Sequence, residues 1–99
     1  MEHQDAAKRL GELGNTTRLA IFRYLVKVGH QGVPVGQIQK ALDIPGSTLS
    51  HHIARLVSVG LVRQDRESRT LYCTAQYEAL QELIDFLQSE CCVGVDACK

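Results

Sequence analysis

Cys91, Cys92 and Cys98 set three thiols within eight positions, straight after a helix-like segment. The fourth cysteine, Cys73, stands alone in the chain. Thiolates are soft, polarisable donors that select soft metal ions and clusters. Neighbouring residues on an ideal helix point about 100° apart. Cys91 and Cys92 therefore converge on one centre only where the helix ends or unwinds. Gly94 permits that break and lets Cys98 fold back. The tail, residues 91–98, reads as a sensing site for a small thiophilic species. Two other readings stay open: thiol oxidation at an exposed, thiolate-prone pair, and a disordered tail with incidental thiols. Cys73 alternates with Leu71 on a strand pattern and reads as a small buried hydrophobe.

A second set of residues has the chemistry of a DNA reader. In the segment from Ser47 to about Val59, Leu49, Ile53, Leu56 and Val57 form an apolar face. Ser47, Thr48, His51 and Arg55 follow at i, i+1, i+4 and i+8 on the opposite face, with Ser50 at its edge. Short polar side chains at a helix start let that end enter the major groove and reach base edges. Its free amides also favour a phosphate. Arg66 and Arg69, flanked by Arg63, suit a wing lying over the backbone or an adjacent minor groove. The plainer roles are an N-cap for Ser47 and ordinary surface charge for the arginines. His52, beside the apolar face, reads as a packed, hydrogen-bonded histidine.

These residues need elements to position them. Ala6, Leu10 and Leu13 predict a short amphipathic helix over residues 5–13. Gly14-Asn15-Thr16 interrupts it, and Asn15 or Thr16 can cap a second helix that runs to about Val28. That helix is apolar over a wide arc, from Leu19, Ala20, Ile21, Phe22, Leu25 and Val26, as for a central core helix. Residues 29–34 read as a turn. A third helix spans Val35 to Leu42, Asp43-Ile44-Pro45-Gly46 turns the chain, and the reading helix follows, with Gly60 suited to its C′ position. Residues 61–65 and 69–74 are strand patterns around a tip at Arg66-Glu67-Ser68. A last helix from Ala75 to about Glu90 carries Tyr77, Leu80, Leu83, Ile84 and Leu87. The fold class is mainly α with a small β-hairpin, in the order α-α-α-α-ββ-α, and segment 35–59 matches a helix-turn-helix.

Ninety-nine residues, 44% apolar, make one domain over residues 1–99 with a modest core. No apolar run approaches the roughly 18–20 residues that span a bilayer, so no membrane partner is expected. Met1-Glu2-His3-Gln4-Asp5 lacks a basic start and an apolar stretch, so no secretory signal is expected. A cytoplasmic location follows as an expectation, and thiols there stay reduced. The net charge is zero but segregated. Residues 1–17 carry two bases against three acids. Residues 18–70 carry eight Lys/Arg against three acids, a balance of +5, and residues 71–99 carry Lys99 against five acids. The basic middle suits double-stranded DNA and argues against a protein-interaction module that never touches it. No nucleophile–base–orienter set, phosphate loop or catalytic metal spacing appears, and an enzyme is not expected.

Thr17-Arg18-Leu19-Ala20-Ile21-Phe22 resembles the start of the second helix in the ArsR/SmtB family of metal-responsive repressors. Ser47-Thr48-Leu49-Ser50-His51-His52-Ile53-Ala54-Arg55-Leu56-Val57-Ser58-Val59-Gly60-Leu61-Val62 resembles that family's recognition helix running into its first wing strand. The resemblance covers residues of about 8–90. It implies a winged helix-turn-helix homodimer, joined through its first and last helices, whose operator affinity falls when an effector binds. The family's arsenic site on the third helix uses a Cys-Val-Cys; here Val35-Gly36-Gln37-Ile38-Gln39-Lys40 has no cysteine. Its zinc site on the last helix uses Asp and His pairs; here no histidine follows His52. Cys91, Cys92 and Cys98 instead resemble a subgroup of arsenic-responsive repressors with a Cys-Cys pair and a third cysteine. The implied effector is As(III), or Sb(III), with no organic cofactor. Trivalent arsenic favours three thiolates in a pyramid, whereas structural zinc wants four ligands. The alternative on the same fold is a repressor that responds to thiol oxidation or persulfide.

Overall fold

The computed structural model describes residues 1–95. Five helices and a small sheet follow in the order α1 (His3–Leu13), α2 (Thr16–Val28), β1 (Val33–Pro34), α3 (Val35–Leu42), α4 (Gly46–Ser58), β2 (Val62–Glu67), β3 (Thr70–Ala75) and α5 (Tyr77–Gln88). This is a winged helix-turn-helix. The expected order holds with one addition: the sheet has three antiparallel strands, β1-β3-β2. Residues 33–34 were expected in a turn. They form an edge strand because Val33 pairs with Cys73 and Pro34 with Tyr72, and an edge is where a proline, lacking its N–H, is tolerated. Gly32 makes the approach possible. Its φ is +74°, and a Cβ there would sit 2.5 Å from Thr74 Oγ1.

Local signals fix the helix ends. Asn15 caps α2, its side-chain oxygen accepting from the Arg18 amide at 3.0 Å. At the end of α4 the Gly60 amide donates to the Val57 carbonyl (3.0 Å) and the Leu61 amide to that of Leu56 (3.1 Å). Gly60 is left-handed, φ +78°, and Leu56 and Leu61 are both fully buried. This is a Schellman closure with its apolar clasp, and it aims the chain straight into β2. Ser47 is not the N-cap of α4. The helix starts at Gly46, with Pro45 in the cap position and no side-chain cap. The hairpin tip also differs from expectation. Glu67 pairs with Thr70, so the tip is Ser68-Arg69, with Ser68 left-handed at φ 59°. Arg66 consequently lies in β2, opposite Leu71.

The core gathers Ile21, Phe22 and Leu25 of α2, Ile38 of α3, Leu49, Ile53 and Leu56 of α4, and Val33, Leu61, Val62, Cys73 and Ala75 around the sheet. The Tyr77 hydroxyl reaches the carbonyls of Leu25 (3.2 Å) and Val26 (3.0 Å), fixing the start of α5 against the end of α2. Five residues expected on apolar faces are not in it. Leu10 of α1, Leu19 of α2 and Val57 of α4 are exposed, as are Ile84 and Leu87 of α5. α5 is also shorter than expected. Ala75 is taken by β3, and the helix ends at Gln88 because Ser89 is extended and Glu90 left-handed.

Candidate nucleic-acid interface and thiol site

The turn between α3 and α4 is short because Asp43 adopts a left-handed conformation, φ 52°, a shape its short polar side chain tolerates. α4 is then seated by three residues that water does not reach: Leu49, Ile53 and Leu56. Ser47, Thr48, Ser50, His51 and Arg55 are all exposed. Arg66 and Arg69 are exposed on the hairpin, and Arg63 Nε is held by Asp65 at 2.7 Å.

The structure brings one of these residues into a cluster that the sequence pattern did not disclose. Arg55 donates from Nε and Nη2 to the two carboxylate oxygens of Glu12, at 2.9 and 3.2 Å. Glu12 lies on α1 and is itself mostly covered, with 16% of its side chain exposed. It also takes Arg18 of α2, whose Nε sits 2.8 Å from the Glu12 carbonyl oxygen and 3.3 Å from its carboxylate. Arg18 Nη1 lies 3.2 Å from His52 Nδ1. A guanidinium can only donate, so Nδ1 accepts and the imidazole is neutral. Burial, then the nearby Arg18, His51 and Arg55 charges, hold the His52 pKa below its usual value. The hydrogen bond from Arg55, reinforced by the Arg55, Arg18 and His51 charges, holds the Glu12 carboxyl below the usual carboxylate range. His52 is thus packed and hydrogen-bonded, as expected. Arg55 pairs through a two-pronged geometry that a phosphate can also accept. If a phosphate took Arg55, Glu12 would keep Arg18 as counter-ion and would not be stranded.

At the other end of the molecule Cys91 and Cys92 are exposed, with their sulfurs 3.3 Å apart. The backbone break that this contact requires is present. Glu90 and Cys92 have φ of 60° and 61°, so the pair lies beyond the helix and not along it. The contact is longer than a disulfide bond, about 2.05 Å, and short enough for both sulfurs to touch one ion. Cys98 lies outside the described residues. Among the described residues no group of three or more His, Cys, Asp or Glu side chains is placed to hold a metal ion. Cys73 is fully buried; burial pushes its thiol pKa up, with Gln64 donating to the sulfur at 3.5 Å. It is not part of the exposed thiol pair. No helix among the described residues is long and apolar enough to cross a membrane.

Residues 13–65 match a family described as a helix-turn-helix domain. The chain is 30% identical over 90 residues to the uncharacterized HTH-type transcriptional regulator YbzH of Bacillus subtilis (strain 168), covering 79% of this chain and 90% of that one. Its fold is similar to an ArsR-like transcriptional regulator from Rhodococcus sp. RHA1, with TM-score 0.77, 20% identity, and 87% and 78% of the two chains covered. It is similar too to a homodimeric winged helix-turn-helix DNA-binding domain from Mycobacterium bovis, described as a possible ArsR-family regulator. There the TM-score is 0.71, the identity 24%, and the coverage 88% and 81%. At these identities the two structures bear on the fold.

Proposed function

This chain belongs to the helix-turn-helix family of transcriptional regulators, a family of regulators and not of enzymes, and from that premise we propose that it is an ArsR-type repressor that releases DNA on binding As(III). The observation that carries the DNA-binding part is the division of α4. Its inner face, Leu49, Ile53 and Leu56, is sealed, while Ser47, Thr48, Ser50, His51 and Arg55 stand exposed on the second helix of the motif. Arg66 and Arg69 on the wing supply phosphate contacts. A homodimer through α1 and α5 is supported by the leucines and isoleucine those helices leave in water, Leu10, Ile84 and Leu87. Two-fold symmetry would then set two reading helices in successive major-groove half-sites, about one helical turn apart.

Support for the effector comes from the thiols. Cys91 and Cys92 already meet, both are open to solvent, and with Cys98 they make the three soft donors that trivalent arsenic, or Sb(III), prefers. Ion binding there would draw Cys98 toward the end of α5. An effector shifts the equilibrium only by its preference for one state. A coupling of about 1–3 kcal/mol lowers operator affinity roughly 5- to 150-fold.

The test uses duplex DNA enriched by the protein itself from a random library, read by fluorescence anisotropy across a salt series. His51→Ala and Arg55→Ala should weaken specific binding without altering arsenite affinity. Arg66→Ala and Arg69→Ala should each reduce the salt slope by about one. Cys91→Ser, Cys92→Ser and Cys98→Ser should bind DNA as the parent does and lose release by arsenite. A thiolate-to-arsenic absorption titration should count three sulfurs per ion. Unchanged operator binding in both α4 variants would move the reading surface elsewhere. Release by peroxide or persulfide, with none by arsenite, would transfer the regulation to thiol oxidation, which the same sulfur contact favours.

A further inference from the structure

Arg9 is the one side chain of α1 seen to hydrogen-bond to both α4 and α5 among the described residues. Its Nε donates to the carbonyl of Val59, the residue that closes α4, at 3.1 Å. Its Nη1 donates to the carbonyl of Ala79 and to the carboxylate of Glu82, both on α5 and both at 3.1 Å. The side chain is 17% exposed, so these bonds are sheltered on its side, while Glu82 is mostly in water. Two of the three acceptors suit a fixed cation, the Glu82 carboxylate and the Val59 carbonyl at the end of α4; Ala79 lies in the first turn of α5 and offers only a carbonyl lone pair. The last carbonyls of a helix lack partners along their own helix and carry the negative end of its dipole. The planar fork of an arginine can serve several such acceptors at set angles, and a lysine cannot.

α1 packs against both α4 and α5, which share little packing with each other. α1 holds α4 at two points from one face: Arg9 at Val59, and Glu12, one turn further on, at Arg55. Arg9 is thus a direct hydrogen-bonded link between α5 and the end of the reading helix.

We propose that Arg9 is the positioning residue that carries a change in α5 to the recognition helix, so that it sets how far the effector lowers operator affinity. This rests on the arsenic-responsive reading above. A residue that merely stabilised the fold would shift DNA affinity equally with and without effector. Arg9 instead governs their ratio, which is the coupling itself.

Operator affinity is measured with and without arsenite for the parent chain, Arg9→Lys, Arg9→Gln and Glu82→Gln, with arsenic bound per chain read from the absorption titration. In the two Arg9 variants arsenic uptake stays at the parent value, while the arsenite-induced loss of affinity shrinks tenfold or to nothing. Glu82→Gln, an exposed change that keeps the fold, shrinks it partly, and combining it with Arg9→Gln adds nothing more. An unchanged ratio in a folded Arg9 variant overturns the proposal. If Arg9→Gln does not fold, an unchanged ratio in Glu82→Gln overturns it. A parent chain that takes up no arsenic, or keeps its operator when loaded, fails the effector reading instead, and the titration tells these outcomes apart.

Discussion

Leu56 and Val57 are neighbours on α4, and both belong to the apolar pattern of the reading helix. In the structure Leu56 is 0% exposed and Val57 38%. Truncating each to alanine therefore measures which way the helix is turned. Leu56→Ala removes three buried carbons, at about 0.8 kcal/mol each, and leaves a cavity between α4, α2 and the sheet. The sum is about 3 kcal/mol or somewhat more, within the range of such substitutions. In a domain of this size each kcal/mol moves Tm by about 4–8 °C, so Tm falls by about 12–24 °C. Val57→Ala removes two carbons already partly in water, a loss of about 1 kcal/mol. Alanine's better helix propensity returns about 0.6 kcal/mol. The net is about 0.4 kcal/mol, or about 2–3 °C. The assay is thermal unfolding by far-UV circular dichroism at one protomer concentration, so that self-association would affect both variants alike. Equal falls in the two variants, or a larger one for Val57→Ala, would mean that α4 is rotated about its axis so that Leu56 no longer faces the core. The exposed row from Ser47 to Arg55 would then no longer be the outer face.

Three further outcomes follow from the same geometry. Iodoacetamide should modify Cys91 and Cys92 in the native protein. Cys73 should react only through opening, more than about a thousandfold slower for an opening cost of about 5 kcal/mol; peptide mass spectrometry showing equal rates would take Cys73 out of the core. The His52 pKa is lower in the folded chain than in the unfolded one, so the unfolded state binds more protons as pH drops below about 6.5. Stability from this residue is full above that pH and declines as pH falls toward the folded-state value. Denaturant midpoints between pH 7.5 and 5.5 should therefore fall less in His52→Gln than in the parent, and equal slopes would show that His52 is not the group responsible. Gly32→Ala forces a Cβ to within 2.5 Å of Thr74 Oγ1 and 3.1 Å of the Cys73 carbonyl at a left-handed φ, so it should cost about 1–3 kcal/mol. A denaturation midpoint unchanged from the parent would show that β1 does not pack on β3 in solution.

Much of this architecture is legible along the chain because the relevant signals are local. The α4 pattern, the Asn15 cap, the Gly60 closure and the exit of Cys91 and Cys92 from the last helix all depend on residues within a few positions. What escapes is non-local or weakly signalled. β1 is two residues long, includes a proline and exists only through its pairing with β3, forty residues away in sequence. The hairpin tip slips because Ser68, without help from a glycine, takes the left-handed position. Helical spacing places Leu10, Leu19 and Val57 on apolar stripes, but how much of each stripe is covered depends on neighbouring elements. Glu12 and Arg55 are 43 residues apart, so spacing gives no hint that they meet. Arg9 looks like one more surface base until α4 and α5 are seen on either side of it. A polar residue at the inner edge of a short amphipathic helix, as Glu12 and Arg9 both are, is the nearest thing to a signal.

The proposed coupling also has the right scale. A hydrogen bond to a charged group contributes about 1.5–3 kcal/mol, and the coupling an effector needs is about 1–3 kcal/mol. Rearranging one or two of the Arg9 bonds is therefore enough, with no refolding. The lever arm is favourable too. Val59 and Ser47 are separated by about 18 Å along the helix at 1.5 Å per residue, so a tilt of about 5° at Val59 carries Ser47 by about 1.5 Å. Base-edge hydrogen bonds act over 2.7–3.2 Å, and such a shift breaks them. The tilt is not absorbed at the pivot, because the Leu56–Leu61 clasp is fully buried and packed cores switch between arrangements more readily than they deform. In a dimer both reading helices tilt, and the spacing between half-sites changes along with the contacts within each. An effector bound outside the DNA surface, at the far end of α5, can thus act on residues it never touches.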